Sequence, residues 1–272
     1  MLGAITGDVI GSVYENFRTK RKDFKLFTPF SFFTDDTVLT VAVADAILST
    51  KDYGANIRAY ARRYPFRGYG PRFMLWMLSP FPKPYNSFGN GAAMRVSPIA
   101  YAFENETEVL EHAKRSASCT HNHPEGIKGA QAVAHAVFLA RKKSSKGEIR
   151  KTLQQCYGYD LGKTVDDIRP HYRINLTCPG SVPEAIISFL DSNSFEDAIR
   201  NAVSLGGDAD TQACIAGAIA EAFYGEIPND FFVQTWKRLN KKFKLIIQKF
   251  YSKFVKNGMA ERLSVINRAY NK

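Results

Sequence analysis

Two short stretches place acidic and hydroxyl side chains directly ahead of apolar runs: Phe33-Thr34-Asp35-Asp36-Thr37 and Gly206-Gly207-Asp208-Ala209-Asp210-Thr211. Helix capping explains part of this, since Thr34 can cap and acids in a first turn complement the helix dipole. Adjacent carboxylates repel each other, however, and keeping both ionised beside an apolar helix is easiest with a cation between them. In the second stretch the two glycines allow a tight turn and close backbone approach. On a continuous helix Asp208 and Thr211 would share a face while Asp210 pointed elsewhere, so their oxygens converge only if the chain is still turning into the helix. Hard oxygen donors without a thiolate select Mg²⁺, Mn²⁺ or Ca²⁺ over zinc. Should the two stretches face each other, Thr34, Asp35, Asp36, Asp208, Asp210 and Thr211 would suit a two-metal site, whose ions typically lie roughly 3.5–4 Å apart. Sequence separation does not determine that distance.

Three further motifs carry chemistry less directly. Gly3, Gly7 and Gly11 recur every fourth residue and form a smooth stripe on a helix, which suits close packing; Glu15 ends the pattern and opens a basic-aromatic loop, 16–33. A carboxylate at such a hinge can act as general acid or base, and Arg18, Lys20, Arg21 and Lys22 suit a lid that attracts a diphosphate. In Asn86-Ser87-Phe88-Gly89-Asn90-Gly91, turn amides can cradle a diphosphate and Phe88 can stack on a base; a plain turn before a helix is the alternative. Cys119-Thr120-His121-Asn122-His123 invites a zinc reading, which the absence of further soft ligands weakens. A His121 that contacts a phosphate or ribose, or a simple surface-loop histidine, are the competing readings.

These groups must be positioned by helices. Apolar periodicity predicts them over 38–48, 55–63, 107–119, 126–142, 181–190, 195–204 and 211–224. Ala130, Val133, Ala134, Val137 and Phe138 keep the spacing of a buried stripe, as do Ile215, Ala218, Ile219, Ala222 and Phe223. Gly225 and Pro228 then supply a stop. The segment 172–176 is a weak strand candidate, and 65–90, dense in Pro, Gly and aromatics, reads as an ordered loop region. One all-α domain over 1–272 is expected, with 226–272 a less distinctive basic helical tail packed on it. There, lysines from Lys241 to Lys256 alternate with Phe243, Leu245, Ile246, Phe250 and Phe254, as on an amphipathic helix.

The chain has 272 residues, 45% hydrophobic and 23% charged, with a net charge of +11. That length buries a core without staples. The four cysteines are scattered, so no disulfide framework or zinc knuckle is indicated, and a reducing cytoplasm is the simplest compartment. No secretory signal and no membrane-spanning run is apparent. The charge favours anionic partners, but no specific nucleic acid is expected, because helix-turn-helix, finger and ribonucleoprotein signatures are missing.

Taken in order, Gly7-Asp8 through Glu15, Thr34-Asp35-Asp36-Thr37, Gly89-Asn90-Gly91 with Met94-Arg95, Thr120-His121 with Pro124-Glu125, and Gly206-Gly207-Asp208-Ala209-Asp210-Thr211 resemble the ADP-ribosylglycohydrolase family. The resemblance spans residues 3 to 225. It implies an all-α orthogonal multi-helix bundle with two divalent cations, Mg²⁺ or Mn²⁺. Thr34, Asp35 and Asp36 match one ligand group, and Asp208, Asp210 and Thr211 the other, with Asp210 bridging. Glu15, Asp35 and Asp36 match catalytic carboxylates. Ser87, Phe88, Gly89, Asn90, Gly91 and His121 fall where an ADP-ribose cleft is lined. The implied activity is removal of ADP-ribose from a modified protein side chain or related conjugate by cleavage at the anomeric carbon of the distal ribose, by a monomer. A catalytically weak ADP-ribose-binding module, a hydrolase of a free ADP-ribosyl metabolite and a two-metal phosphoesterase are the rival expectations.

Overall fold

The computed structural model describes residues 1–255 and Leu263. In chain order the helices are α1 Leu2–Gly11, α2 Asp35–Leu48, α3 Tyr53–Arg63, α4 Pro71–Leu78, α5 Ser97–Ala102, α6 Glu106–Ser118, α7 Pro124–Arg141, α8 Lys146–Tyr157, α9 Val165–Ile168, α10 Cys178–Leu190, α11 Phe195–Ser204, α12 Ala209–Tyr224, α13 Asn229–Arg238 and α14 Lys241–Phe254. A 3-10 turn, Asn90–Ala92, precedes α5. Among the described residues there is no strand, and β-type pairing is confined to one bridge between Gly89 and Thr177. The all-α expectation therefore holds. No described helix is long and apolar enough to cross a membrane.

Helix α12 is the hub. It is buried from Ala209 through Ala222 and packs against α1, α7, α10 and α11. Gly225, at φ 83°, ends it in the left-handed conformation that glycine adopts without a Cβ penalty. Helix α1 is buried along its whole length, and its glycine stripe lies directly on α12. A Cβ added at Gly7 would stand 2.0 Å from the Ala213 carbonyl oxygen, and one at Gly11 2.4 Å from that of Ala209. Backbone meets backbone here, which brings the charged residue inside α1, Asp8, up to the start of α12.

Two expectations need correction. The Pro- and Gly-rich stretch 65–90 contains a real helix, α4, because Pro71 at its first position has its φ preset and needs no hydrogen-bond partner for its nitrogen. Phe73, Trp76 and Met77 bury its inner face, and Arg58 and Arg62 of α3 donate to the Met77 carbonyl at 3.0 and 2.8 Å, satisfying its C-terminal end. The segment 172–176 is not a strand. Its polar groups go to scattered partners: the Tyr172 carbonyl accepts from Lys20 Nζ at 2.9 Å, the Leu176 carbonyl accepts from the Asn90 amide at 2.9 Å, and the Asn175 side-chain oxygen accepts from the Thr177 amide at 3.0 Å.

Helix α14 is amphipathic, as its lysine spacing predicted, and it packs on α2. Its buried residues are Phe243, Ile246, Ile247, Phe250 and Tyr251. Leu245, assigned to that stripe from the sequence, faces out, and Ile247 takes its place. Lys256, like the rest of the predicted tail beyond 255 save Leu263, lies outside the described residues.

Candidate active site

The two acid stretches meet. Asp35 and Asp36 open α2, with Thr34 as its N-cap and the Thr34 hydroxyl accepting from the Asp36 amide at 3.3 Å. Capping thus accounts for Thr34. It does not account for Asp208, which sits at the N-cap of α12 at φ −79°, ψ 82° and makes no capping hydrogen bond. Asp208 Oδ2 instead accepts from Asn90 Nδ2 at 2.6 Å. Because Asp208 is still in the turn, its carboxylate reaches the same space as that of Asp210, the second residue of the helix. Single oxygens of Glu15, Asp208 and Asp210 lie within 4.8 Å of one another, and so do those of Asp8, Asp36 and Asp210. Across 175 residues of sequence, Thr211 Oγ1 donates to Asp36 Oδ2 at 3.3 Å.

Asp8 organises the cluster. Its carboxylate accepts from the Thr34 amide (3.0 Å), the Thr34 hydroxyl (2.7 Å), the Thr37 amide (3.1 Å) and the Thr37 hydroxyl. The first turn of α2 is therefore anchored to α1. In the sequence Asp8 stands only as part of the Gly7-Asp8 motif, without a role of its own. A detectable signal was present: a carboxylate inside an otherwise apolar, glycine-spaced helix has to be paid for by partners.

Burial raises the proton affinity of every acid here, and repulsion from neighbouring acids adds to it at Glu15, Asp35, Asp36 and Asp210. Burial pushes Asp8 up to about 6, against which its four hydrogen bonds work. Asp35, Asp36 and Asp210 are held well above the usual carboxylate range by burial and by their acidic neighbours. Asp208 is raised by burial, and Glu15 by burial and by Asp208, with Arg18 pulling both back. Asp36 Oδ1 is buried without a hydrogen-bond partner. An orphaned buried oxygen among converging hard donors fits a divalent cation, which would restore the charge balance that burial opposes.

The cluster forms one end of a cavity of about 290 Å³. Glu15, Asp35, Asp36, Asp208, Asp210 and Thr211 line it, together with Ser87, Gly89, Asn90, Gly91 and His121. Phe88 is not on that wall; its ring is half exposed and lies 5.2 Å from the His123 ring. Thr34 is behind the wall, its hydroxyl turned to Asp8. The turn 86–91 has less anion-binding capacity than its composition suggested, because the Gly89 amide donates to Ser87 Oγ (3.1 Å) and the Asn90 amide to the Leu176 carbonyl (2.9 Å). His121 is buried, and desolvation with Arg95 and Arg72 nearby holds its ring well below the ordinary histidine range. It is a neutral imidazole, with Nδ1 2.7 Å from the Thr120 hydroxyl.

The zinc reading fails on geometry. His123 caps α7, accepting from the Glu125 amide at 3.1 Å, and Cys119 Sγ donates to the Ser116 carbonyl. Among the described residues the metal-capable groups are the two acidic ones. Sequence reasoning also missed Arg72, Tyr85 and Leu176 on the cavity wall, and gave no separate role to Arg95. Arg95 is fully buried and donates to the Ser116 carbonyl and the Thr120 hydroxyl at 2.8 and 2.9 Å, so it fixes the turn that carries His121. Of the proposed lid cations, Lys20 is spent on the carbonyls of Arg169, Tyr172 and Leu205, Lys22 on Asp197, and Arg21 on Asp23. Arg18 is the one whose charge acts on the acids.

A family profile described as ADP-ribosylglycohydrolase matches residues 1–259. ADP-ribosylhydrolase ARH3 of Mus musculus is 30% identical over 308 residues, covering 83% of this chain and 82% of its own. ADP-ribosylarginine hydrolase Tri1 of Pseudomonas putida (strain GB-1) is 25% identical over 260 residues, covering 83% and 69%. A solved structure described as an ADP-ribosylglycohydrolase-related protein complex aligns with a TM-score of 0.70 at 25% identity, over 92% of this chain and 95% of that one.

Proposed function

The chain belongs to the ADP-ribosylglycohydrolase family, whose hydrolases act on ADP-ribose conjugates, and on that premise we propose that its acid-lined cavity cleaves the bond at the anomeric carbon of the distal ribose. The substrate is an ADP-ribosylated protein side chain or a related conjugate. The observation that carries this reading is the meeting of Asp36 and Thr211 beside the orphaned Asp36 Oδ1, on the wall of a cavity that also holds Glu15.

Thr34, Asp35, Asp36, Asp208, Asp210 and Thr211 are the residues that would hold two divalent cations, Mg²⁺ or Mn²⁺. Bound there, the ions would supply Lewis acidity and a template for ribose hydroxyls. Thr34 contributes only if its hydroxyl, now given to Asp8, turns toward the cleft. Asn90 keeps the Asp208 carboxylate in place through its 2.6 Å hydrogen bond. Glu15 stands at the edge of the cluster with a raised proton affinity, which suits a group that gives or takes a proton as the glycosidic bond breaks. Positive charge developing on the ribose ring is favoured by the carboxylates around it. His121, neutral and held by Thr120, offers a hydrogen bond to the ribose or phosphate without adding charge.

The test is a panel of defined ADP-ribosylated substrates, assayed with Mg²⁺, with Mn²⁺ and with chelator, on the parent and two variants. Asp210→Asn should abolish turnover and weaken metal binding. Glu15→Gln should lower turnover by roughly 10²–10⁴-fold, the usual contribution of a general acid or base, and leave metal binding intact. Full turnover by Asp210→Asn in metal-replete buffer would overturn the assignment, and release of AMP in place of intact ADP-ribose would point to phosphoester chemistry.

A further inference from the structure

Helix α4 has two apolar faces. Phe73, Trp76 and Met77 are buried. Pro71, Met74, Leu75 and Leu78, which a turn of 3.6 residues places on the opposite side, are exposed. Leu75 is 73% exposed and Leu78 62%. The segments that enter and leave the helix add Phe66 and Phe81, 90% and 83% exposed. Single exposed apolar side chains are ordinary, but an apolar stripe along one helix marks a contact surface.

This part of the chain is also uniformly cationic. Between Asp52 and Glu104 it carries no acid. Its exposed cations there, Arg62, Arg63, Arg72 and Lys83, make no ion pair among the described residues. Helix α3 brings its arginines to the end of α4, where Arg62 Nε donates to the Met77 carbonyl at 2.8 Å.

The stripe starts at the cavity. Pro71 and Arg72 line it, and the segment leading into α4 is bonded to the acid cluster, because the Asp35 amide donates to the Arg67 carbonyl at 2.7 Å. Gly68 lies beside the same residue: a Cβ there would stand 3.0 Å from Asp35 Oδ1. A conjugate cleaved at those acids must lead its remaining part out past 68–72.

We propose that the outer face of α4, with Phe66 and Phe81, docks the protein part of an ADP-ribosylated substrate, and that it favours acceptor segments rich in acidic and apolar residues. This rests on the hydrolytic reading and narrows its substrate class from conjugates in general to modified proteins. Acidic side chains meet Arg62, Arg63 and Lys83, and apolar ones cover Leu75, Leu78 and Phe81. A second copy of this chain is the poorer occupant, since the same unpaired cations would face each other. A lipid surface would use the stripe but has no need of its continuity with the cavity.

The experiment uses fluorescein-labelled ADP-ribosylated peptides, arginine-linked and serine-linked, each flanked either by Glu, Leu and Phe or by Lys, Ser and Gly. Anisotropy gives Kd on the full chain carrying Glu15→Gln, and kcat/KM is measured on the parent. The acidic-apolar peptide should bind about tenfold more tightly than the basic one. Leu75→Ser/Leu78→Ser/Phe81→Ser should erase that preference while free ADP-ribose binds as before, because none of the three lines the cavity, and Tm should not fall. Lys83→Glu should weaken binding of the acidic peptide alone and reduce its salt dependence. A parent that binds with this preference and cleaves no peptide sinks the hydrolytic reading and leaves the docking surface standing. A parent that cleaves both peptides with equal kcat/KM and binds them equally does the reverse. The proposal is also overturned if the preference persists in the triple variant, or if that variant loses free ADP-ribose to the same degree. Sedimentation with phosphatidylserine vesicles that the triple variant abolishes would assign the face to a membrane and overturn it as well.

Discussion

Replacing Gly7 by alanine adds one methyl group where, among the described glycines, a Cβ would meet backbone at the shortest distance. That carbon would lie 2.0 Å from the Ala213 carbonyl oxygen, 2.3 Å from its carbonyl carbon and 2.7 Å from the Cys214 amide nitrogen. Ordinary contact begins at 3.4 Å, so α1 and α12 must part by about 1.4 Å, with no flexible side chain able to yield instead. Overpacking of a tight core typically costs about 1–3 kcal/mol, and an obstacle made of backbone belongs at the upper end. For a chain of this size, about 3 kcal/mol lowers Tm by roughly 6–12 °C. The displacement also carries Asp8 away from Thr34, Thr37 and Asp210, so divalent-cation affinity should fall along with Tm. Thermal melts with and without Mg²⁺ measure both effects. Gly54→Ala is the internal control: a Cβ there meets nothing closer than Cys119 Cβ at 3.4 Å, and Tm should hold or rise slightly. A Gly7→Ala protein that melts within about 2 °C of the parent and binds Mg²⁺ equally would refute the claim that this glycine stripe sets the position of Asp8.

In chelator, the folded state holds the Asp8 proton to about pH 6, whereas the unfolded chain releases it near 3.8, the ordinary aspartate value. The folded state then binds more protons across that window, so stability from this group falls as pH rises, by on the order of 3 kcal/mol in total. Asp8→Asn should flatten the curve of unfolding free energy against pH between 4 and 6, and equal slopes in urea melts would contradict the burial argument. His121, pushed well below the ordinary range by burial and two arginines, should stay neutral at pH 6 by ¹⁵N NMR, and a titration centred near 6.5 would count against it. Lys20→Met removes three hydrogen bonds that tie the 16–33 loop to 169–172 and Leu205. Because the ammonium is partly solvated, a cost of only about 1 kcal/mol is expected, together with faster chymotryptic cleavage at exposed Phe17 and Phe30. Unchanged cleavage would show that the loop is held by other contacts.

The outcome for individual elements follows from what kind of information each one needs. Helices α7 and α12 were legible because a 3.6-residue apolar stripe and a stop such as Gly225 are local properties of the chain. Helix α4 was not, since prolines and glycines at 65–90 signal turns statistically, and its stability comes from α3 side chains that satisfy its C-terminal carbonyls. The strand candidate at 172–176 failed for a related reason: extended residues make a strand only when a partner edge is present, and here their carbonyl and side-chain partners are elsewhere.

The same division holds for the site. Residue types and their order along the chain were sufficient to mark Thr34, Asp35, Asp36, Asp208, Asp210 and Thr211 as hard oxygen donors and to identify the family resemblance. Only the packing of α1 on α12, and of both against the start of α2, decided that the five donors other than Thr34 line one cavity, that Asp8 anchors the start of α2, that Phe88 and Thr34 stand outside, and that Lys20 is structural. The reason is physical. Donor chemistry and helical periodicity belong to single residues and near neighbours, whereas the distance from Asp36 to Thr211 is the result of every contact made by the 174 residues between them, and no local pattern records it.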